Sequence, residues 1–325
     1  MGRIVVVTTG GTISMVQDQA RGGAIPMLDG KGLLAGLPAS LGEVELVEQS
    51  KLPSGHFSLE DIWAIRNRVL ELTSNPTVAG LVLVMGTDVL EEVAYLLDIT
   101  VEAETPVVVT GAMRTASMVG WDGGANVLAA IRVAAEVQCR GLGTLVVLND
   151  QIHAARHVTK THSQSVDTFQ SPEWGALGRV GGRTVVIAQR VARDTVPCDR
   201  LERAVHLIKL AVGMDDDLLN YVIDRGARGV VLEVFGGGRV PPWWMPTIRR
   251  AVAGGLVVVG TSRCPAGRMY DSYGFMGAYR DLADAGVLFA HGLNGPKARI
   301  RLMAAFSAAE RLDVEVPHFF RDDGM

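Results

Sequence analysis

Cysteine is scarce in this 325-residue chain, which has 3. Cys139, Cys198 and Cys264 lie too far apart to form a disulfide framework or the close Cys/His pairs of a structural zinc site, so they read as buried packing residues. An excess of positive charge is missing too. Lys plus Arg total 31 against 35 Asp plus Glu, a formal net charge of −4, with no basic stripe. Displacing counterions from a nucleic acid needs clustered cations, so no nucleic-acid partner is expected. Nor is there a long apolar run: the stretch from Ile4 to Val7, directly after Met1-Gly2-Arg3, is far too short for a signal sequence or a membrane span. A cytoplasmic chain with no membrane partner is expected. Internal repeats and low-complexity tracts are absent.

What the chain does have is 48% hydrophobic and 20% charged residues, the balance of a globular protein, over a length that suggests about two domains. Short β-branched runs, Arg3 to Thr8, Gly80 to Met85, Pro106 to Thr110, Gly143 to Asn149 and Thr184 to Gln189, alternate with longer Ala/Leu-rich stretches. Near-continuous apolar runs such as Leu81-Val82-Leu83-Val84 predict strands of a parallel sheet buried on both faces. The class is α/β. Helices are predicted over Leu59 to Leu72, Asp88 to Thr100 and Gly124 to Val137. The pattern weakens after Arg190, which places a larger amino-terminal α/β domain at 1–190, a linker at 191–213 and a smaller α/β carboxy-terminal domain at 214–325. The last contains strands at Gly229 to Val234 and Leu256 to Thr261, with helices near Trp244 to Ala253 and Lys297 to Ala308.

Ligands of open parallel sheets collect outside the carboxyl ends of the strands, where loops diverge and helix amino termini point outward. The loop after the first strand, Thr8-Thr9-Gly10-Gly11-Thr12-Ile13, lacks the Rossmann fingerprint and the Walker lysine, which argues against a nucleotide. Its informative residue is Thr12, a hydroxyl on a turn made permissive by glycine. In the next such loop, Gly86-Thr87-Asp88, the run Asp88-Val89-Leu90-Glu91 has the form of a capping box, so Asp88 reads first as an N-cap and Thr87 as the hydroxyl offered to a ligand. Lys160 reads as a solvated charge unless it lies beside Thr87 and Asp88, where it would take up a hydroxyl proton. Thr87, Lys160 and Asp88 would then be nucleophile, base and orienting carboxylate. His153, His157 and His162 lack a carboxylate or cysteine at ligand spacing, so no metal is expected. Trp243-Trp244 reads as packing at a domain or subunit interface.

These residues carry a resemblance to the bacterial-type L-asparaginase family of amidohydrolases along essentially the whole chain. Thr9-Gly10-Gly11-Thr12-Ile13 matches the family's first signature, and Gly86-Thr87-Asp88 with Glu91-Glu92 matches the second. Gly111-Ala112-Met113-Arg114, Asn149-Asp150, Val158-Thr159-Lys160-Thr161, Thr168-Phe169, Ser262-Arg263-Cys264-Pro265-Ala266-Gly267 and Lys297-Ala298-Arg299 also match. The resemblance implies a larger flavodoxin-like amino-terminal domain and hydrolysis of a small carboxamide to acid plus ammonia without metal or cofactor. It implies Thr12 as nucleophile and Thr87 working with Asp88 and Lys160. Ser54, in Pro53-Ser54-Gly55-His56, falls where the substrate α-carboxylate is held. Gly55, Gly86 and Ala112 fall in its substrate loops, with backbone N–H groups at the Thr87 turn and around Ala112 stabilising the oxyanion. A homodimer or homotetramer is implied, each site completed by a neighbouring subunit.

The chain departs from that pattern. Val89 stands where another Thr is usual and Met85 where a His or small polar residue is common. No Tyr occurs from Ser14 to Ser50, where the family often places one that activates the nucleophile. Tyr279 stands where asparaginases carry a Glu that meets the substrate α-ammonium, and its hydroxyl could take the catalytic place of the missing Tyr beside the neighbouring threonine. Arg239 stands where an Asn often does, its donors suited to a substrate carboxylate or carbonyl. Losing a carboxylate and gaining a guanidinium disfavours an ammonium in a desolvated site. Two amide classes therefore stay open, L-asparagine by family precedent and an amide lacking a free α-ammonium. A non-catalytic ligand-binding relative is the third reading.

Overall fold

Segments with no polar break can be satisfied only between two covering layers, and the computed structural model builds its larger sheet from them. Residues 2–18, 22–26, 30–34, 37–38, 41–270, 273–309 and 315–320 are described. The chain divides into two units, Met1–Thr195 and Val196–Met325. In chain order the first contains β1 (Arg3–Thr8), β2 (Met15–Asp18), β3 (Gly23–Pro26), α1 (Gly30–Leu34), β4 (Val44–Glu48), α2 (Leu59–Thr73), β5 (Val78–Val84), α3 (Leu90–Thr100), β6 (Val107–Thr110), α4 (Gly123–Ala135) and β7 (Thr144–Leu148). Then come β8 (Gln151–Ala154), β9 (Thr159–Lys160), β10 (Phe169–Gln170), β11 (Gly178–Gly181) and β12 (Thr184–Ile187).

Eight of these strands form one sheet, ordered β4-β1-β5-β6-β7-β8-β11-β12. The first five are parallel and pair in register, with Val6 beside Val82, Val82 beside Val108 and Val108 beside Leu145. That row shares a core with Val127, Ala130, Ile131 and Ala134 of α4. Because side chains alternate, Val5, Leu81, Leu83 and Val146 are equally buried but point to the other face, where α2 and α3 pack. Helix α2 starts with a capping box in which Ser58 and Asp61 exchange bonds, and it buries Ile62, Ile65, Val69 and Thr73 at helical spacing.

The order β4-β1-β5-β6-β7 is the 2-1-3-4-5 order of a flavodoxin-like sheet, so the order in which strands are added reverses about β1. The loops after β1 and β5 leave the carboxyl edge of the sheet at that point, where a ligand crevice is expected.

The remaining strands of this sheet are antiparallel. Residues Thr184 to Gln189, predicted as a strand buried on both faces, instead supply the edge strand β12, hydrogen-bonded to β11 with Val185 buried and Val186 exposed. A covered strand and an amphipathic edge strand of this length have similar composition; the difference lies in what packs on them.

The second unit holds a four-stranded parallel sheet, β13 (Val205–Lys209), β14 (Gly229–Val234), β15 (Val257–Ser262) and β16 (Leu288–Phe289), with α5 (Asp217–Asp224), α6 (Met245–Ala253), α7 (Tyr279–Asp284) and α8 (Gly295–Ala308). Strand β13 falls inside the stretch predicted as linker, because His206 and Lys209 mask a strand whose Val205 and Ile208 face the core. Trp244 is fully buried in this unit's own core and donates Nε1–H to Met214 O (3.1 Å), so it does not lie at an interface. Of the cysteines only Cys139 is buried; Cys198 is half-buried and Cys264 exposed. No helix among the described residues is long and apolar enough to cross a membrane.

Candidate active site

The crevice beside β1 is lined by loops from the first unit. After β1 the chain turns through Gly10 and Gly11, both at positive φ (91° and 96°), into a short 3-10 turn over Thr12–Ser14. A Cβ on Gly11 would sit well under 3.0 Å from the Gly86 Cα and N, so the two turns touch backbone to backbone. Thr12 and Thr87, each next in sequence to one of those glycines, are thereby placed on abutting turns. Gly86 is pressed in turn by Ser54, whose Cβ and Oγ would lie 2.9 and 2.6 Å from an added methyl. Gly111, after β6, closes the far side, its virtual Cβ 3.1 Å from Thr87 Cγ2.

Lys160 arrives from the β9–β10 hairpin, outside the main sheet, where it pairs with Phe169. Its Nζ donates to Thr87 Oγ1 at 2.9 Å and lies 3.4 Å from Asp88 Oδ1. Asp88 N–H donates to the buried Ser54 Oγ (3.2 Å), and Asp88 Oδ2 lies 3.7 Å from a Cβ placed on Gly55. Thr87, Asp88, Lys160, Ser54, Gly55 and Gly86 thus form one constellation. The expected capping role of Asp88 is not found. Helix α3 has Val89 as its N-cap with no side-chain cap, and the Asp88 carboxylate faces Lys160 Nζ.

Ala112 is fully buried on the loop after β6. The N–H groups of Met113 and Arg114, next in line, donate to Asp122 (3.0 and 2.9 Å). Asn126, one helical turn on in α4, donates to Gly111 O and to Asp122 and accepts from Asn149 N–H (2.9 Å). This buried amide bridges the ends of β6 and β7, and the sequence reading missed it. The i, i+4 spacing of Asp122 and Asn126 at the start of a predicted helix was the available signal.

The histidines serve local structure. His153 is buried with Nδ1 against Ser171 Oγ (2.9 Å), and His157 stacks on Trp174 (5.3 Å between centroids). His162 Nδ1 accepts the N–H groups of Gln164 and Ser165. Among the described residues no cluster of His, Cys, Asp or Glu could hold a metal ion. Arg239 and Tyr279 belong to the second unit. The Arg239 guanidinium lies over Tyr273 (4.6 Å), the Tyr279 ring stacks on Phe289 (4.1 Å), and a Cβ placed on Gly238 would lie 3.0 Å from Tyr279 Cδ2.

Residues 3–193 match the model of the asparaginase N-terminal domain, and residues 204–316 match that of the glutaminase/asparaginase C-terminal domain. The chain belongs to the asparaginase family. It is 32% identical to the L-asparaginase of Bacillus licheniformis, over 92% of this chain and 94% of that one. It is 28% identical to the glutaminase-asparaginase of Pseudomonas fluorescens biotype A, over 95% and 88%. The solved structure of a probable cytoplasmic L-asparaginase from Campylobacter jejuni superposes with a TM-score of 0.86 at 27% identity, covering 98% of this chain and 99% of that one. This asparaginase-family chain is an amidohydrolase, with both family domains present in order.

Proposed function

We propose that the crevice between the β1 and β5 turns is the amidohydrolase site, with L-asparagine as the first candidate substrate. The observation that carries this reading is the 2.9 Å contact of Lys160 Nζ with Thr87 Oγ1, made beside Asp88 on a turn that packs against Gly11, the neighbour of Thr12. The Thr12 hydroxyl adds to the carboxamide carbon, its proton passing to the Thr87–Lys160 pair. The carbonyl oxygen becomes an oxyanion held by the N–H groups of Thr87 and Ala112. Collapse breaks the C–N bond, ammonia leaves with a proton, and water cleaves the Thr12 ester to give the acid. Asp88 orients the lysine. The carboxylate end of the substrate lies against Ser54 and the Gly55 and Gly86 backbone.

A second substrate class rests on the second unit. Arg239 and Tyr279, at the positions where the family resemblance places an Asn and a Glu, supply a cation and an aromatic ring where an α-ammonium would be met. If a neighbouring subunit brings them to the site, an amide without a free α-ammonium is preferred. A homodimer or homotetramer is part of the proposal, as is a cytoplasmic location, in line with the Campylobacter jejuni protein's name.

Ammonia release measured across asparagine, glutamine, their N-acyl forms and dicarboxylic monoamides separates the classes. High specificity for L-asparagine, unaltered by Arg239→Asn or Tyr279→Phe, removes the second. Loss of turnover in Thr12→Ala and Lys160→Met is expected of either; near-parental release in either variant overturns the mechanism and leaves a non-catalytic binder as the reading. Light scattering that finds a fully active monomer overturns the assembly, and cell fractionation tests the location.

A further inference from the structure

Two carboxylates open the second helix-forming segment after β5, and the sequence pattern assigns both to capping it. Neither does. Helix α3 begins at Leu90 behind Val89, which offers no side-chain oxygen, and Asp88 turns to Lys160 Nζ (3.4 Å). Glu91 turns to the same residue: its Oε2 accepts the Lys160 backbone N–H at 3.2 Å. Lys160 is thus gripped at both ends by the segment that carries Thr87, by its Nζ through Asp88 and by its main chain through Glu91.

The second grip matters because of where Lys160 sits. Strand β9 is two residues long, and among the described residues its only strand partner is β10, itself two residues, with no ladder to the main sheet. An N-cap side chain stabilises the start of a helix, and here that contribution is given up in a helix eleven residues long. We propose that Glu91 is a positioning residue for the amidohydrolase reaction. Its carboxylate docks the main chain of Lys160 onto the first turn of α3, fixing the reach from Nζ to Thr87 Oγ1. The inference rests on the reading of Lys160 as the proton acceptor; Glu91 itself touches no reacting atom.

The test is steady-state ammonia release by Glu91→Ala, Glu91→Gln, Lys160→Met and the double variant Glu91→Ala/Lys160→Met, each with its thermal midpoint. Misplacing a reacting group by about 1 Å costs up to roughly 100-fold, so Glu91→Ala is expected to lower kcat by about 10- to 100-fold with little change in KM. Gln keeps an acceptor oxygen at the same reach, and Glu91→Gln is expected to recover most of kcat. In the Lys160→Met background the Ala change adds no further loss. A stability role alone would lower the midpoint without dividing kcat from KM and without rescue by Gln. Parental kcat in Glu91→Ala, or equal loss in Gln and Ala, overturns the proposal while an inactive Lys160→Met leaves the Lys160 reading standing. An active Lys160→Met overturns both.

Discussion

Replacing Gly11 by alanine probes the contact that brings Thr12 and Thr87 together. Gly11 has φ 96° and ψ −176°, a region open in practice to glycine alone, where a residue with a Cβ is strained by about 1–3 kcal/mol. The methyl would also fall on the Gly86 Cα and N, main-chain atoms that no rotamer change can move. Ordinary Cβ contacts begin near 3.4 Å, so the β1 and β5 turns must part by about 1 Å. A shift of that size between nucleophile and proton acceptor predicts a kcat loss on the order of 100-fold. Gly42→Ala is the control. Its φ is 80°, nothing lies within 4 Å of the added methyl, and it is exposed, so it carries about 1–2 kcal/mol of backbone strain alone. Both variants should melt earlier, and only Gly11→Ala should fail in ammonia release at a temperature where both are folded. Parental kcat in Gly11→Ala refutes the contact; equal kcat loss in Gly42→Ala shows that strain, not separation, was being measured.

Further expectations concern stability and reactivity. Val89→Thr supplies the missing N-cap oxygen of α3 and should raise stability by about 0.5–1 kcal/mol, read from urea unfolding, since Val89 carries no site group. The Ala204 N–H and Arg228 hold the Glu202 carboxyl below its ordinary value of 4.5. Its contribution is therefore full above that value and lost as pH falls through the lower folded value, and Glu202→Gln should flatten the acid-side fall of the thermal midpoint. Burial pushes the Cys139 thiol up to about 11, so at pH 8 iodoacetamide should label exposed Cys264 well before Cys139, which reacts only on unfolding.

Legibility followed how local the cause was. Strands β1, β5, β6, β7, β14 and β15 are apolar on both faces, and their composition announces that without reference to the rest of the chain. The edge strand β12 and the partly charged β13 depend on what packs beside them, and they were misread. Asp88 shows the same limit at the site. Its four-residue motif is a valid cap signal, overridden by Lys160, 72 positions away in sequence. Thr12 and Thr87 could be named because each is a hydroxyl next to a glycine turn at a strand end, whereas Lys160 read as a solvated charge until the family resemblance placed it beside Thr87 and Asp88. Glu91 and Asn126 meet main-chain groups, so the sequence offered only indirect signals for them: a capping-box pattern for Glu91 and the i, i+4 spacing from Asp122 for Asn126.

The hairpin that delivers Lys160 has a thermal consequence of its own. Two rungs of β-pairing, with a loop tied by Thr161, His162 and Thr168, make an element able to open while the eight-stranded sheet stays closed. Amide hydrogens of residues 159–170 should then exchange with solvent faster than those of β5 or β6. Heat would inactivate the enzyme before it unfolds it, and the gap between those two temperatures would be set by a dozen residues that the sheet does not need.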